Sequence, residues 1–305
     1  MILLTQMAIL FLIMAVGFLC KRTNLLDDLS VKKLSGLVVN VANPCMVLSA
    51  AVGDHAGSDN MLLLSAVILS LVMYAVFLVL AAMVPKLLRV PAGDVPAYKL
   101  MMIFSNIGFM GFPVISAAYG QEALLYASVF LFPYNFLIYT YGISVMTGES
   151  MVKGGIRWKK IFNIGVLSGI LAIALYIADL HLPSVLSQSI STLGGLTAPL
   201  SMIVIGYSIA EMDLKTLFTD VRLLLFSVIK LLLLPIAGVT LCRLCRVPEA
   251  LLGVSFIMLA MPVGSMTAML ASQYGRNEEL ASRAVAITTI LSVVTLPLMS
   301  ALLGV

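Results

Sequence analysis

Two short stretches combine residues that break a helix with residues that bind. Ser105-Asn106-Ile107-Gly108-Phe109-Met110-Gly111-Phe112-Pro113 and Met261-Pro262-Val263-Gly264-Ser265-Met266-Thr267 each lie inside a long apolar run. Proline removes a helical N–H and glycine weakens a helix, so each run is expected to break near its centre. A break at membrane depth frees backbone amides and carbonyls, which are tolerated where they face a cavity. The freed N-terminus of a half-helix, with its partial positive charge, suits a carboxylate. The candidate binding residues are therefore Ser105, Asn106, Gly108 and Gly111 in the first stretch and Pro262, Val263, Gly264 and Ser265 in the second. Gly and Pro also serve tight helix packing; their recurrence in two equivalent places favours a site.

Three further polar residues stand in apolar surroundings. Lys230 lies mid-run, where a lysine costs about 2.5–3.5 kcal/mol to insert, so it is expected to have a partner or a function. Two readings are open: it supports an anion site, or it pairs with freed carbonyls near Pro235 or Pro262. Asn43, beside Pro44, is a weaker candidate because asparagines also join helices. Asn135, with Tyr134 and Tyr139, is a candidate to line the same cavity, packing being the alternative for the tyrosines.

The elements that must position these residues are membrane spans. Of 305 residues 61% are apolar and 10% charged, and the mean hydropathy is +1.12, more apolar surface than a water-soluble domain can hide. Uninterrupted apolar stretches of about 18–25 residues, the length of a transmembrane helix, fall near 3–20, 34–52, 61–84, 98–118, 123–146, 161–178, 186–210, 222–242, 251–272 and 280–303. The first is followed, not preceded, by its charges Lys21 and Arg22, unlike a cleaved leader. Fifteen of the eighteen Lys and Arg lie in the loops after spans one, three, five, seven and nine. The positive-inside rule then places those loops in the cytoplasm and both termini outside. The net charge of +4 is thus a topology signal and not a nucleic-acid footprint.

An internal repeat accompanies the spans. Val41-Ala42-Asn43-Pro44 and Leu196-Thr197-Ala198-Pro199 set a proline midway along spans two and seven, and Tyr119-Gly120 and Tyr274-Gly275 close spans four and nine. Arg89-Val90-Pro91 and Arg246-Val247-Pro248 follow spans three and eight. An odd number of spans per half inverts the second half. The expected fold is all-α and polytopic, with ten transmembrane helices in two inverted five-helix repeats, 1–148 and 161–305, joined by a cytoplasmic linker 149–160.

At these residues the chain resembles the auxin efflux carrier family. Asn106 through Tyr119-Gly120 is similar to its fourth-span motif, and Pro262 through Tyr274 with Leu296-Pro297 to its ninth and tenth spans. Ala198-Pro199-Leu200-Ser201 with Gly206 is similar to the seventh span of bacterial members, which include permeases for malate and malonate. The resemblance implies a scaffold of spans one, two, six and seven, able to pair as a homodimer. It also implies a moving transport domain of spans three to five and eight to ten, with crossed, broken helices four and nine presenting their ends to an organic anion. Ser105 stands where plant members have a proline, and only Thr147 to Lys160 joins the halves where they carry a long loop.

Other chemistries find little support. Cys242-Arg243-Leu244-Cys245 has a zinc-like spacing without a second pair, Cys20 and Cys45 are isolated, and His55 and His181 fall in outside loops. No nucleophile motif, phosphate loop or dinucleotide fingerprint occurs. The expectation is a cofactor-independent secondary transporter in a plasma membrane, a bacterial inner membrane by the resemblance, and not an enzyme. Its substrate would be a mono- or dicarboxylate such as malate or malonate; an auxin-like aromatic carboxylate or a non-transporting sensor are the alternatives. No Asp or Glu lies inside the spans, so coupling through a buried acid is disfavoured. A proton carried by a lysine, or uncoupled transport, remains open.

Overall fold

The computed structural model describes residues 2–51, 60–148, 162–178, 180, 182–211 and 218–304. The linker 149–160 and both histidines, His55 and His181, lie outside them. The described chain is helical throughout. Its helices are α1 (Ile2–Arg22), α2 (Asp28–Leu37), α3 (Asn43–Ser49), α4 (Asn60–Leu87), α5 (Val95–Ile103), α6 (Phe112–Tyr119), α7 (Glu122–Ser128), α8 (Leu131–Leu137) and α9 (Ile143–Thr147). They continue with α10 (Ile164–Ile177), α11 (Ser184–Gly195), α12 (Thr197–Ala210), α13 (Val221–Val228), α14 (Leu234–Leu244), α15 (Glu249–Ala260), α16 (Met266–Gln273) and α17 (Glu278–Leu303).

Among the described residues five continuous stretches are long and apolar enough to cross a membrane: Asn60–Leu87, Glu122–Thr147, Ser184–Ala210, Val221–Leu244 and Glu278–Leu303. Shorter apolar helices accompany them at Ile107–Tyr119, Ile164–Ile177 and Glu249–Ala260. The stretches read as spans four and nine fall outside the five because each is divided near its middle. The stretch read as span six is described as a 14-residue helix, about 21 Å long and short of a 30 Å hydrocarbon core. Outward faces are apolar where lipid would lie: along α4 the exposed residues from Met61 to Met83 include Leu64, Ile68, Leu71, Val72, Val76 and Val79.

Proline explains much of the local geometry. Three π-helical turns, Val38–Ala42, Ile107–Gly111 and Ile229–Leu233, run straight into Asn43-Pro44, Phe112-Pro113 and Leu234-Pro235. In each, the residue before the proline donates five residues back, to Val38, Ile107 and Ile229. The extra residue turns the backbone away from the clash that a proline ring makes with the carbonyl four residues earlier. The helix therefore continues, and the carbonyl five residues before the proline has no N–H to meet.

The short sequence echoes share backbone conformation. Arg89 and Arg246 both adopt left-handed φ, 50° and 55°, uncommon for a side chain of this size. After each, the valine N–H returns to close the helix end, Val90 to Pro85 O and Val247 to Cys242 O, both at 2.9 Å. Gly120 and Gly275 follow with φ of 85° and 61°.

Polar groups tie the helix ends. At one end Lys21 Nζ donates to Asp28 Oδ1 (3.0 Å), Tyr207 OH (2.9 Å) and Glu211 Oε1 (2.8 Å), while Tyr207 OH donates to Asp28 at 2.5 Å. The Tyr207 hydroxyl first, and Lys21 second, pull the Asp28 carboxyl down to about 2, and Glu211 chiefly holds the Lys21 ammonium above its usual range. The Asp28 contribution is therefore complete above the ordinary carboxylate range and is lost as pH falls towards 2. At the start of α17 Arg276 Nε donates to Met146 O (2.7 Å), Asn277 to Asp94 (2.9 Å) and Arg283 to Thr219 (3.1 Å). At the other end of α17 the Arg243 guanidinium donates to the Leu303 carbonyl.

Between α1 and α12 the backbones touch. A Cβ at Gly17 would collide with the Ile203 carbonyl, and one at Gly206 with the Met14 carbonyl, the close approach that small residues allow between membrane helices. Gly17→Ala and Gly206→Ala are each expected to destabilise the protein by about 1–3 kcal/mol, read as earlier thermal unfolding in detergent. Gly36→Ala, whose Cβ meets nothing within 4 Å, should unfold no earlier than the wild type.

Candidate functional site at the paired helix breaks

The two interrupted helices meet at their interruptions. The first half-helix, α5, ends at Ile103, and Phe104 (φ −99°, ψ 90°) leads the chain out in extended form. In the second, α15 ends at Ala260, and Met261 (φ −64°, ψ 140°) does the same. Pro262 has no N–H to give to a helix. Ser105 and Val263 then pair as an antiparallel bridge. Asn106 N donates to Pro262 O and Gly264 N to Phe104 O, both at 2.8 Å, so each break supplies what the other lacks. Gly264 is required by this approach, since a Cβ there would lie 3.0 Å from Ser105 O and 3.1 Å from Phe104 O. Three further amides are met: Val263 N by Thr288 Oγ1 (3.0 Å), Ile107 N by Ser105 O (2.9 Å) and Phe109 N by Asn106 Oδ1 (3.3 Å).

Because Asn106 N turns to Pro262, Met102 O loses the donor a continuous helix would provide. Lys230 Nζ takes that place, donating to Met102 O and Ser105 Oγ at 2.8 Å each. It stands 5.0 Å from the Phe77 ring centroid, and its residue is fully buried. The ammonium thus sits on the negative end of the α5 dipole. Among the described residues no carboxylate comes within 4 Å of it.

Asn43 also reaches the crossing. Its Nδ2 donates to Gly108 O at 3.2 Å, the carbonyl five residues before Pro113. This bond fixes the amide's orientation, since Oδ1 cannot face a carbonyl oxygen. The Asn43 Oδ1 is buried without a partner. Gly108 leaves room for the amide, a Cβ there falling 3.4 Å from Nδ2, and Gly111 passes Met261 with a Cβ distance of 3.5 Å. Ser105, Asn106, Pro262, Val263 and Gly264 are buried and Ser265 is exposed.

Lys230 meets its freed carbonyl at Met102, in span four, beside the break that crosses Pro262, because the backbone diversion at Asn106 orphans Met102 O. Asn135 donates to Leu131 O (2.8 Å) and accepts from Asn163 at the start of α10 (2.6 Å). Its neighbour Tyr134 packs edge-on against Phe104, ring centroids 5.4 Å apart. Residues not anticipated are Thr288, which receives Val263 N and donates to Ala284 O at 2.6 Å, and Phe77. Thr288, Thr289 and Ser292 share a helix face in span ten, a pattern that would have pointed to Thr288.

Comparison with known proteins bears on this arrangement. The membrane transport protein family matches over residues 2–154 and 151–300. The chain belongs to this family, that of the auxin efflux carriers. It is similar to an uncharacterized transporter of Methanocaldococcus jannaschii, 24% identical over 301 residues and 95% of each chain. An uncharacterized transporter of Methanothermobacter thermautotrophicus is 23% identical over 307 residues, 98% of this chain and 97% of that one. With its apolar helices, the chain is a multi-pass membrane transporter of the auxin efflux carrier family.

Gly264→Ala is expected to force the two breaks apart, costing about 1–3 kcal/mol and lowering transport. Thermal unfolding and uptake by reconstituted protein check this together. Gly195→Ala, where nothing lies within 4 Å of the added carbon, should alter neither.

Proposed function

We propose that this carrier moves a small organic anion, a mono- or dicarboxylate such as malate or malonate, by alternating access, with the substrate held at the paired breaks. The charge balance there carries the reading. Two half-helices end and two begin at the crossing, so their dipoles, about half a charge each, cancel to first order. In its protonated form Lys230 adds a whole positive charge, with no carboxylate within 4 Å among the described residues. A site left positive at membrane depth favours an anion. Asn106, Ser105, Gly108, Gly111, Pro262, Val263, Gly264, Ser265 and Asn43 are its proposed lining, and Lys230 acts from behind.

Ten spans in two inverted repeats, 1–148 and 161–305, fit the shared turns at Arg89 and Arg246. A division into a scaffold of spans one, two, six and seven and a moving domain of the others fits the polar ties. Lys21, Asp28, Tyr207 and Glu211 join spans one, two and seven. Lys230–Ser105, Arg276–Met146 and Asn277–Asp94 stay within the other set. Asn43–Gly108 and Asn163–Asn135 cross between the two sets. The end bearing Lys21 and Arg276 is proposed to be cytoplasmic, with both termini outside a plasma membrane. A homodimer through the scaffold would cover the outward face of α11, where Gln188, Ser189 and Thr192 surround a shallow depression of about 470 Å³.

Purified protein in vesicles should take up labelled dicarboxylate saturably, and an imposed potential should change the rate. Asn106→Ala should weaken apparent affinity about tenfold, the loss of one hydrogen bond to a charged group, in protein that still folds and unfolds only slightly earlier for want of its bond to Phe109 N. Absence of uptake for every carboxylate offered, or unchanged affinity in a folded Asn106→Ala, would move the site or the substrate class.

A further inference from the structure

The second half-helices leaving the crossing, α6 and α16, occupy corresponding positions before Tyr119-Gly120 and Tyr274-Gly275, yet their surroundings differ. The π turn Ile107–Gly111 and α6 pack on α12, and α6 also packs on α1. Met110 and Val114 are buried there, and Ala117 is half-buried. Along α16 the equivalent positions, 155 residues on, are Ser265, Met269 and Ser272, and all three are exposed. The main helical neighbours of α16 are α5, α9 and α17, so no described helix covers this face as α1 and α12 cover α6.

The exposed face is not suited to lipid. Exposed residues of α4 between Met61 and Met83 are uniformly apolar, whereas α16 shows Ser265, Ser272 and Gln273 around a single Met269. Hydroxyl and amide groups in hydrocarbon lack partners and are costly. The stripe begins at Ser265, beside the Ser105–Val263 bridge, and runs to Gln273, just before Arg276, which holds the Met146 carbonyl.

We infer that the Ser265–Met269–Ser272 face of α16 is the wall of a hydrated path leading a small organic anion between the crossing and the end that bears Arg276, while α6, seated on α1 and α12, seals the opposite end. The structure is the state open towards Arg276. The inference deepens the proposed carrier reading and rests on its site. In the opposite state α16 must find cover and α6 must lose it, so Met269 and Val114 exchange environments.

The test is thiol accessibility in a chain whose Cys20, Cys45, Cys242 and Cys245 are replaced by Ala, with single Met269→Cys, Ser272→Cys, Val114→Cys and Leu64→Cys variants. A membrane-impermeant methanethiosulfonate reacts with thiolate in water. Met269→Cys and Ser272→Cys are expected to react at least about tenfold faster than the lipid-facing Leu64→Cys and the sealed Val114→Cys, thiolate formation needing water. Rates equal to that of Leu64→Cys would put α16 against lipid and overturn the path. A Val114→Cys rate matching Met269→Cys would overturn the sealed end. Labelling needs no substrate, so these outcomes stand apart from a failure of carboxylate transport. Slowing of Met269→Cys labelling by saturating malonate adds support.

Discussion

A backbone that breaks inside a membrane must have its amides and carbonyls met by protein, because hydrocarbon offers them nothing. In this transporter the two breaks meet one another, Asn106 N on Pro262 O and Gly264 N on Phe104 O. One carbonyl freed by this turn of the backbone, Met102 O, is met by the ammonium of Lys230. The lysine is there because the helix is broken, and the helix can stay broken because the lysine is there. Its second bond, to Ser105 Oγ, fixes the residue at the centre of the bridge. Around this point glycine is set by distance at Gly264, and Thr288 of the last helix supplies an acceptor to Val263.

Proline imposes the same constraint elsewhere along the chain. A π turn before Pro44, Pro113 and Pro235 lets each helix pass its proline, and at Pro113 the unmet Gly108 carbonyl is answered by Asn43 from another helix. An interhelical bond of this kind is worth on the order of 1 kcal/mol, firm enough to set a position and weak enough to be broken in a transport cycle. The Asn43 Oδ1 beside it is buried without a partner.

Much of this was legible in the sequence. Apolar runs and clustered charges identify the membrane class, the glycines and prolines of spans four and nine locate the interruptions, and the order of motifs identifies the family. What sequence could not supply was the partner of each freed group. Two readings of Lys230 are open in the sequence, an anion site or carbonyls freed near the visible prolines Pro235 and Pro262, whereas Met102 is orphaned by a turn of Asn106 that only the pairing of two distant segments produces. Asn135 stands out in the sequence as polar in an apolar span, while its partner Asn163, at the cap of another helix, does not. The difference in cover between α6 and α16 is equally invisible in sequence, since it belongs to one conformation and not to the chain.

The central claim, that the Lys230 charge makes the crossing an anion site, is tested most directly by equilibrium binding to monodisperse Lys230→Met protein in detergent. A labelled dicarboxylate and a monocarboxylate of similar size are compared against wild type. The lost Coulomb energy scales with ligand charge, so dianion affinity should fall by a clearly larger factor than monoanion affinity. Equal losses for the two ligands, or none, in protein that remains folded would contradict the claim and leave the broken-helix dipoles as the source of anion selectivity.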